Sequence, residues 1–232
     1  MRSLPSLLKR ALRRCGYDLT QILRAPANRL RRPLKELKAS RRLRETVRAA
    51  RDPLKVIIGA SGTTSPGWVP TEYPMVNIAS RSSVERYFRE ASVRAFLAEH
   101  VWEHLSQEQA RMAAANCFRM LVPGGYLRIA VPDGLHPDPA YIEYVKPGGT
   151  GVGSDDHKVL YTYRSLSSLI EEAGFEVRLL EWFDEQGCFH FHDWDPAAGF
   201  IARSTRFDER NIENPTAYTS IIADAIKPYS AG

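Results

Sequence analysis

Short continuous apolar runs alternate along this chain with one long stretch of helical period. Lys55 to Ala60 (KVIIGA), Val93 to Ala98 (VRAFLA) and Tyr126 to Val131 (YLRIAV) are almost unbroken, the pattern of strands covered on both faces. Between the last two, Ala110, Ala113, Ala114, Cys117, Phe118 and Leu121 recur at spacings of three and four, with Arg111 and Arg119 left for solvent. That spacing predicts an amphipathic helix, which Pro123, Gly124 and Gly125 stop. Strand, helix and strand at this length make a parallel crossover unit. Trp68 to Tyr73 reads as a second strand and Met75 to Ile78 as a short third. Ser82 to Glu90 reads as a helix, and Leu166 to Ala173 as another closed by Gly174. Glu176 to Phe183 and Gly199 to Ser204 complete the strands. Too few residues separate Gly59 from Trp68 for an ordinary crossover helix. The first helix is therefore expected to shrink to a turn, leaving a sheet face for N-terminal helices to cover.

Those helices belong to residues 1 to 54. Leu4, Leu7 and Leu8, then Leu30, Leu34 and Leu37, then Leu43 and Val47 sit at helical spacing among arginines, and Pro26 and Pro33 punctuate the stretch. Sixteen basic against four acidic residues give this arm +12, whereas residues 55 to 232 carry −7, which together recover the net +5. The division predicts a basic helical extension (1–54) and a single catalytic-looking domain (55–232). The arm suits docking on an anionic membrane surface or a protein partner, a transit peptide, or a solubilising cover for the core. Nucleic acid is disfavoured as a partner, because Tyr17 is the arm's lone aromatic residue and the body is acidic. No apolar run approaches the length of a membrane span. Cys15, Cys117 and Cys188 are widely separated and odd in number, which favours a reduced, cytoplasmic setting without disulfides, at the membrane periphery if the arm docks there.

Candidate chemistry clusters after the strands. Gly59, Ser61 and Gly62 follow the first strand, where glycine lets the backbone turn tightly and approach a ligand. His100, Glu103 and His104 have the formal order of an inverted zinc-protease motif, but the Pro-Gly-Gly turn and the following strand suit a nucleotide fold better, so no metal site is assigned. His100 and His104 are otherwise read as histidines hydrogen-bonded at a helix start or lying near a reacting centre. The irregular, Pro- and Gly-rich segment from Gly134 to Asp156 has the length of a lid, with Tyr141, Tyr144 and Lys146 as candidates to line an acceptor pocket. In Asp155-Asp156-His157 a carboxylate beside an imidazole is a general-base candidate, or else Asp155 or Asp156 is an N-cap. Alternation places His190 and His192 on one face, either as a metal pair with Asp193 or Asp195 or as lining of a cleft or sheet edge. Arg203 and Arg206 either hold an anionic acceptor or join Asp208 and Arg210 in an ion-pair network.

Several segments carry a resemblance. Leu121-Val122-Pro123-Gly124-Gly125-Tyr126-Leu127-Arg128-Ile129 resembles the Leu-Lys-Pro-Gly-Gly turn and strand of class I, Rossmann-like S-adenosylmethionine (SAM) dependent methyltransferases. Glu99-His100-Val101-Trp102-Glu103-His104-Leu105 is similar to the Glu-His-Leu segment after their fourth strand, and Glu171-Glu172-Ala173-Gly174-Phe175-Glu176-Val177 to their closing helix, Ala-Gly-Phe and strand. The GW turn at Gly67-Trp68, EHVWEHL and RSTRFDERN also resemble a poorly characterised subfamily. The resemblance covers roughly residues 55 to 201, and in the glycine loop Ile57 stands where the family carries an acid. It implies an α/β fold with a doubly wound, mostly parallel sheet, SAM as cofactor, and O- or N-methylation of a small-molecule or sugar-like acceptor. On that reading Gly59, Ser61 and Gly62 hold the methionine end, Glu72 the ribose and Asn77 the adenine edge, with Glu99 and His100 beside the cofactor. Asn77 is equally suited to ending a strand. His157, with Asp156, would be the base, and His104 the reserve. A competing reading is a non-catalytic relative that binds partners through its basic arm; an RNA-modifying enzyme steered by that arm is a third.

Overall fold

The computed structural model describes residues 37–229, which fall into two compact units divided between Arg48 and Ala49. Of the basic arm, residues 37–49 form a helix in which Arg41 Nε lies 2.8 Å from Glu45 one turn on. The readings of Leu4 through Leu34 and of Pro26 and Pro33 lie outside the described residues.

The second unit is built on a seven-stranded sheet: β1 (Leu54–Ile58), β2 (Trp68–Pro70), β3 (Val93–Glu99), β4 (Leu121–Pro132), β5 (Glu176–Phe183), β6 (Phe189–Phe191) and β7 (Ser220–Ile226), in the order β2-β1-β3-β4-β7-β5-β6. β2, β1, β3 and β4 are parallel, and β7 runs antiparallel between β4 and β5. This is the Rossmann-like α/β sheet expected, with the strand order reversing direction between β1 and β3, where such sheets bind ligands.

The helices are α1 (Arg81–Glu85), α2 (Gln107–Met120), α3 (Pro139–Val145) and α4 (Tyr163–Glu171). α2 follows the predicted stripe: Ala110, Ala113, Ala114, Cys117 and Met120 are buried, and Ser106 with Gln109 forms a capping box at its start. α2 and α4 pack together on one face of the sheet. The first crossover helix is indeed reduced to a turn, since residues 59–67 contain only bends and turns. The second face is covered by an irregular segment. Trp194 and Ile201 enter the core among Ile57, Ala95, Leu97, Ala130, Leu180 and Ile222, and Tyr126 Oη donates to the Ala198 carbonyl at 2.6 Å. Beneath them Arg128 is buried; it grips Asp224 of β7 with two bonds (2.7 and 2.8 Å), donates to the carbonyls of Asp195 and Gly199, and lies under the Trp194 ring.

Several expectations need correction. Met75 to Ile78 is not a strand: the Asn77 side chain accepts from Ala79 N, and its own N–H donates to Ser83 Oγ, an Asx turn that leads into α1. Ser82 to Glu90 is helical only to Glu85. Pro123-Gly124-Gly125 does not separate helix from strand; β4 begins at Leu121 and passes through it as an irregularity, with Gly124 at φ 71° and the register against β3 shifted. Gly199 to Ser204 is not a strand, because its backbone turns over the sheet and the ladder position is taken by β7. Thr162, not Asp155 or Asp156, caps α4.

Candidate functional site

At the reversal point the ends of β1 and β3 open into a cleft of about 400 Å³. Gly59 and Ser61 line it from β1, Glu99 and His100 from β3, and Glu103 and His104 from the 3-10 turn Trp102–His104. Tyr144, Gly151, Ser154 and His157 close the opposite wall, with Arg203, Arg210 and Tyr218 at the third side. A more open hollow of about 730 Å³ over Trp182, Phe191 and His192 lies away from these strand ends and gathers no comparable set of groups.

The backbone at the floor is left-handed at three places: Gly59 (φ 61°), Ser61 (φ 47°) and Gly62 (φ 86°). An added Cβ on Gly59 would meet Val101 Cγ2 at 3.0 Å, whereas the space over Gly62 is open. His100 is also left-handed at φ 53°, an arrangement that disfavours a side chain and persists only where the surroundings enforce it. Those surroundings are specific. The Ser220 hydroxyl donates to the Arg203 carbonyl (2.8 Å), so its oxygen accepts from His100 Nε2 (3.1 Å). The ring then turns Nδ1 to within 3.0 Å of Glu103 Oε1, off the line a hydrogen bond needs.

Glu103 is fully buried, and neither carboxylate oxygen has a hydrogen-bond partner. Burial alone would raise its pKa, but the neighbouring His100 imidazole and the backbone outweigh it, leaving the carboxyl below its ordinary range. Its carbonyl accepts from Lys158 N (2.7 Å) and Val159 N (3.3 Å), which brings the chain after His157 against the 3-10 turn. The His104 and His157 rings consequently meet edge to face, with centroids 4.8 Å apart. His157 Nδ1 lies 2.7 Å from the Val145 carbonyl. A carbonyl only accepts, so Nδ1 carries the hydrogen and Nε2 presents its lone pair.

Eight of the sequence-derived candidates, Gly59, Ser61, Glu99, His100, His104, Tyr144, His157 and Arg203, thus converge on one cleft. Glu72, just past β2, accepts from Gly62 N at 3.3 Å on the β1 side. Glu99 accepts from Arg203 N (2.8 Å) and Ala202 N (3.2 Å), pinning the covering segment to the end of β3. Asn77 stands apart in its Asx turn. Asp156 does not orient His157 as its position in the chain suggests. The Ser154–Asp156 turn carries its carboxylate to His104 Nδ1, 3.4 Å away, while Val145 orients His157. Tyr141 does not line this cleft but a neighbouring hollow of about 310 Å³ shared with Tyr144, Arg210 and Tyr218, and its buried hydroxyl donates to the Thr219 carbonyl and accepts from Asp133 N. Lys146 pairs with Glu143 at the surface. Arg206 pairs with Asp193 and stacks over Trp194 and Phe207, and only Arg203 and Arg210 reach the cleft. His190 is bound by Asp184 (2.7 Å) and stacked on Trp182, and His192 Nδ1 bonds the Leu179 carbonyl, so neither faces a shared ligand position. Arg210 pairs with Asp208 at 2.6 Å, as one reading of the sequence had it, and its guanidinium lies 3.3 Å over the ring of Tyr218. Tyr218 escaped the sequence reading because β7 did, and the run Ser220 to Ile226 (SIIADAI) was the available signal.

No protein-family model matches the chain, and no curated protein matches it. Among solved structures it is similar to a SAM-dependent methyltransferase from Archaeoglobus fulgidus (15% identity, TM-score 0.45, covering 83% of this chain and 94% of that one). It is also similar to a SAM-dependent methyltransferase from Thermotoga maritima (14%, TM-score 0.45, 88% and 96%) and to the YcgJ protein from Bacillus subtilis (12%, TM-score 0.42, 83% and 99%). The strand order and the place of the cleft, described above, make the chain a Rossmann-like α/β protein of mostly parallel sheet.

Proposed function

We propose that the chain is a SAM-dependent methyltransferase acting on an oxygen or nitrogen of a small-molecule or sugar-like acceptor. The observation that carries this reading is the convergence, at the sheet's reversal point, of a left-handed glycine turn with an imidazole whose free nitrogen is fixed by a backbone carbonyl. The residues suit the cofactor: Gly59, where an added Cβ would meet Val101 at 3.0 Å, lets the backbone come close to a ligand, and Glu72, which accepts from Gly62 N, carries a carboxylate able to accept from ribose hydroxyls. SAM, when bound, supplies an electrophilic methyl group on sulfur. The protein's part is to align the acceptor and take its proton. His157 Nε2 is the proton acceptor, Arg203 and Arg210 hold an anionic group of the acceptor, and residues 144–154 exclude water.

Calorimetric titration with SAM and with S-adenosylhomocysteine tests the reading. Saturable binding is expected, weakened about tenfold or more by Glu72→Ala, in line with the roughly 1.5–3 kcal/mol of a hydrogen bond to a charged group. A folded protein that binds neither compound sinks it. One observation favours a non-catalytic scaffold instead: Glu99 and Glu72 already have internal partners. Gly62→Leu separates the two, since it should abolish methyl transfer and spare docking through the basic arm. For that arm we retain an anionic membrane surface or a protein as partner.

A further inference from the structure

We propose that Glu103, His104 and His157 form a binding site for a first-row transition-metal dication such as Zn²⁺ in the wall of the cleft. One ligand atom from each lies within 4.8 Å of the others. Ligands at bond lengths of about 2.1 Å in a tetrahedron stand roughly 3.4 Å apart, so modest side-chain rotation closes the set. Chance proximity of acidic and imidazole groups would not carry the inference, but the state of Glu103 does. It is fully buried and lines the cleft; Oε1 has only the 3.0 Å approach of His100 Nδ1, and Oε2 has no hydrogen-bond partner. A buried carboxylate needs compensation on both oxygens; His100 supplies it on the Oε1 side, and a dication on the Oε2 side would complete it. His104 Nδ1 is likewise buried without a hydrogen bond.

The surroundings already do what outer residues do around metal ligands. The Val145 carbonyl fixes the His157 tautomer with Nε2 free, and Asp156 faces His104. Two imidazoles and one carboxylate favour Zn²⁺, Co²⁺, Mn²⁺ or Fe²⁺ over Mg²⁺ or Ca²⁺, which prefer all-oxygen shells. Three protein ligands leave room for water or an anionic oxygen ligand, and Arg203 and Arg210 line the same cleft. The metal uses His104 and Glu103 but not His100, whose Nε2 is held by Ser220 and whose Nδ1 faces Glu103 Oε1, so the chemistry differs from the inverted zinc-protease order found in the sequence. It also departs from the metal-free reading of the sequence. Methyl transfer is a separate matter: with metal bound, His157 is a ligand and not a base.

The test uses untagged full-length protein, stripped with a chelator and titrated with Zn²⁺ by calorimetry and with Co²⁺ by visible absorption. One saturable equivalent is expected, with the absorption bands of an imidazole-ligated Co²⁺ site. His157→Asn and, independently, Glu103→Gln should weaken it at least a hundredfold with the circular dichroism unchanged. His157 is half-buried, so His157→Asn carries the test where Glu103→Gln changes the circular dichroism. Absence of a saturable equivalent, or an equivalent that survives His157→Asn but vanishes in His190→Asn/His192→Asn, overturns the site. Metal binding without SAM binding sinks the methyltransferase reading alone, and SAM binding without metal binding sinks this one alone.

Discussion

Asp133 shows how much a single residue's environment can decide. The segment ends β4 at the cleft side of the sheet, and the carboxylate is fully buried, accepting from Leu135 N (2.9 Å) and Phe183 N (2.7 Å). Burial, which outweighs those two bonds, pushes its pKa up to about 6. A carboxyl with a raised folded pKa binds its proton more tightly in the native state. Its stabilising contribution is complete below about pH 4 and is lost as pH rises through 6, by on the order of 3 kcal/mol. Urea melts across pH 4 to 7 should show that loss in the wild type and not in Asp133→Asn, whatever the variant's stability at a single pH. At Gly59 the relevant quantity is backbone strain: Gly59→Ala combines φ 61° with a 3.0 Å contact to Val101. It should destabilise by about 1–2 kcal/mol in thermal melts and, on the methyltransferase reading proposed above, weaken SAM binding by a larger factor than it weakens the fold. The sequence disclosed the histidines and glycines because their types are informative by themselves. Glu103 was visible only as a letter between two histidines, since nothing in a sequence states that a carboxylate will be fully buried beside an imidazole.

At the level of elements, the readable parts were those with strong periodicity. α2, β1, β3 and β5 fall where the apolar spacing puts them, and the missing first crossover helix follows from chain length alone. The unreadable parts were those whose hydrogen bonds come from distant chain. β7 is inserted between β4 and β5, a pairing about ninety residues from β4, and the stretch expected to be the last strand became a cover for the sheet. Arg128, the lone charge in a predicted strand, is the clue that links them. Arg128→Met leaves Asp224 without its guanidinium and releases the carbonyls of Asp195 and Gly199. Chemical denaturation should record a loss of about 3–5 kcal/mol, and Arg128→Met/Asp224→Leu should recover most of it. Failure of the double variant to recover would mean that the covering segment, not the ion pair, carries the stability.

The whole molecule joins a strongly basic arm to an acidic body, and this asymmetry predicts behaviour that neither part's fold would disclose. Full-length protein should sediment with vesicles containing phosphatidylserine and not with neutral ones, and raising salt from about 0.05 to 0.5 M should release it as the screening length contracts. Sedimentation unaffected by salt or lipid charge would assign the arm to a protein partner or to solubility.

The segment from Trp194 to Ile201 has a consequence for anyone who would alter this protein. In many α/β enzymes a specificity loop can be exchanged because the core beneath it is closed by a helix. Here the continuation of one stretch supplies a wall of the cleft at Arg203, while the stretch itself seals the sheet with Trp194 and Ile201. Grafting a foreign loop there would remove hydrophobic core along with the cleft wall, so the tolerant position lies elsewhere on the rim. Val152, fully exposed at the rim, is the natural first position to randomise.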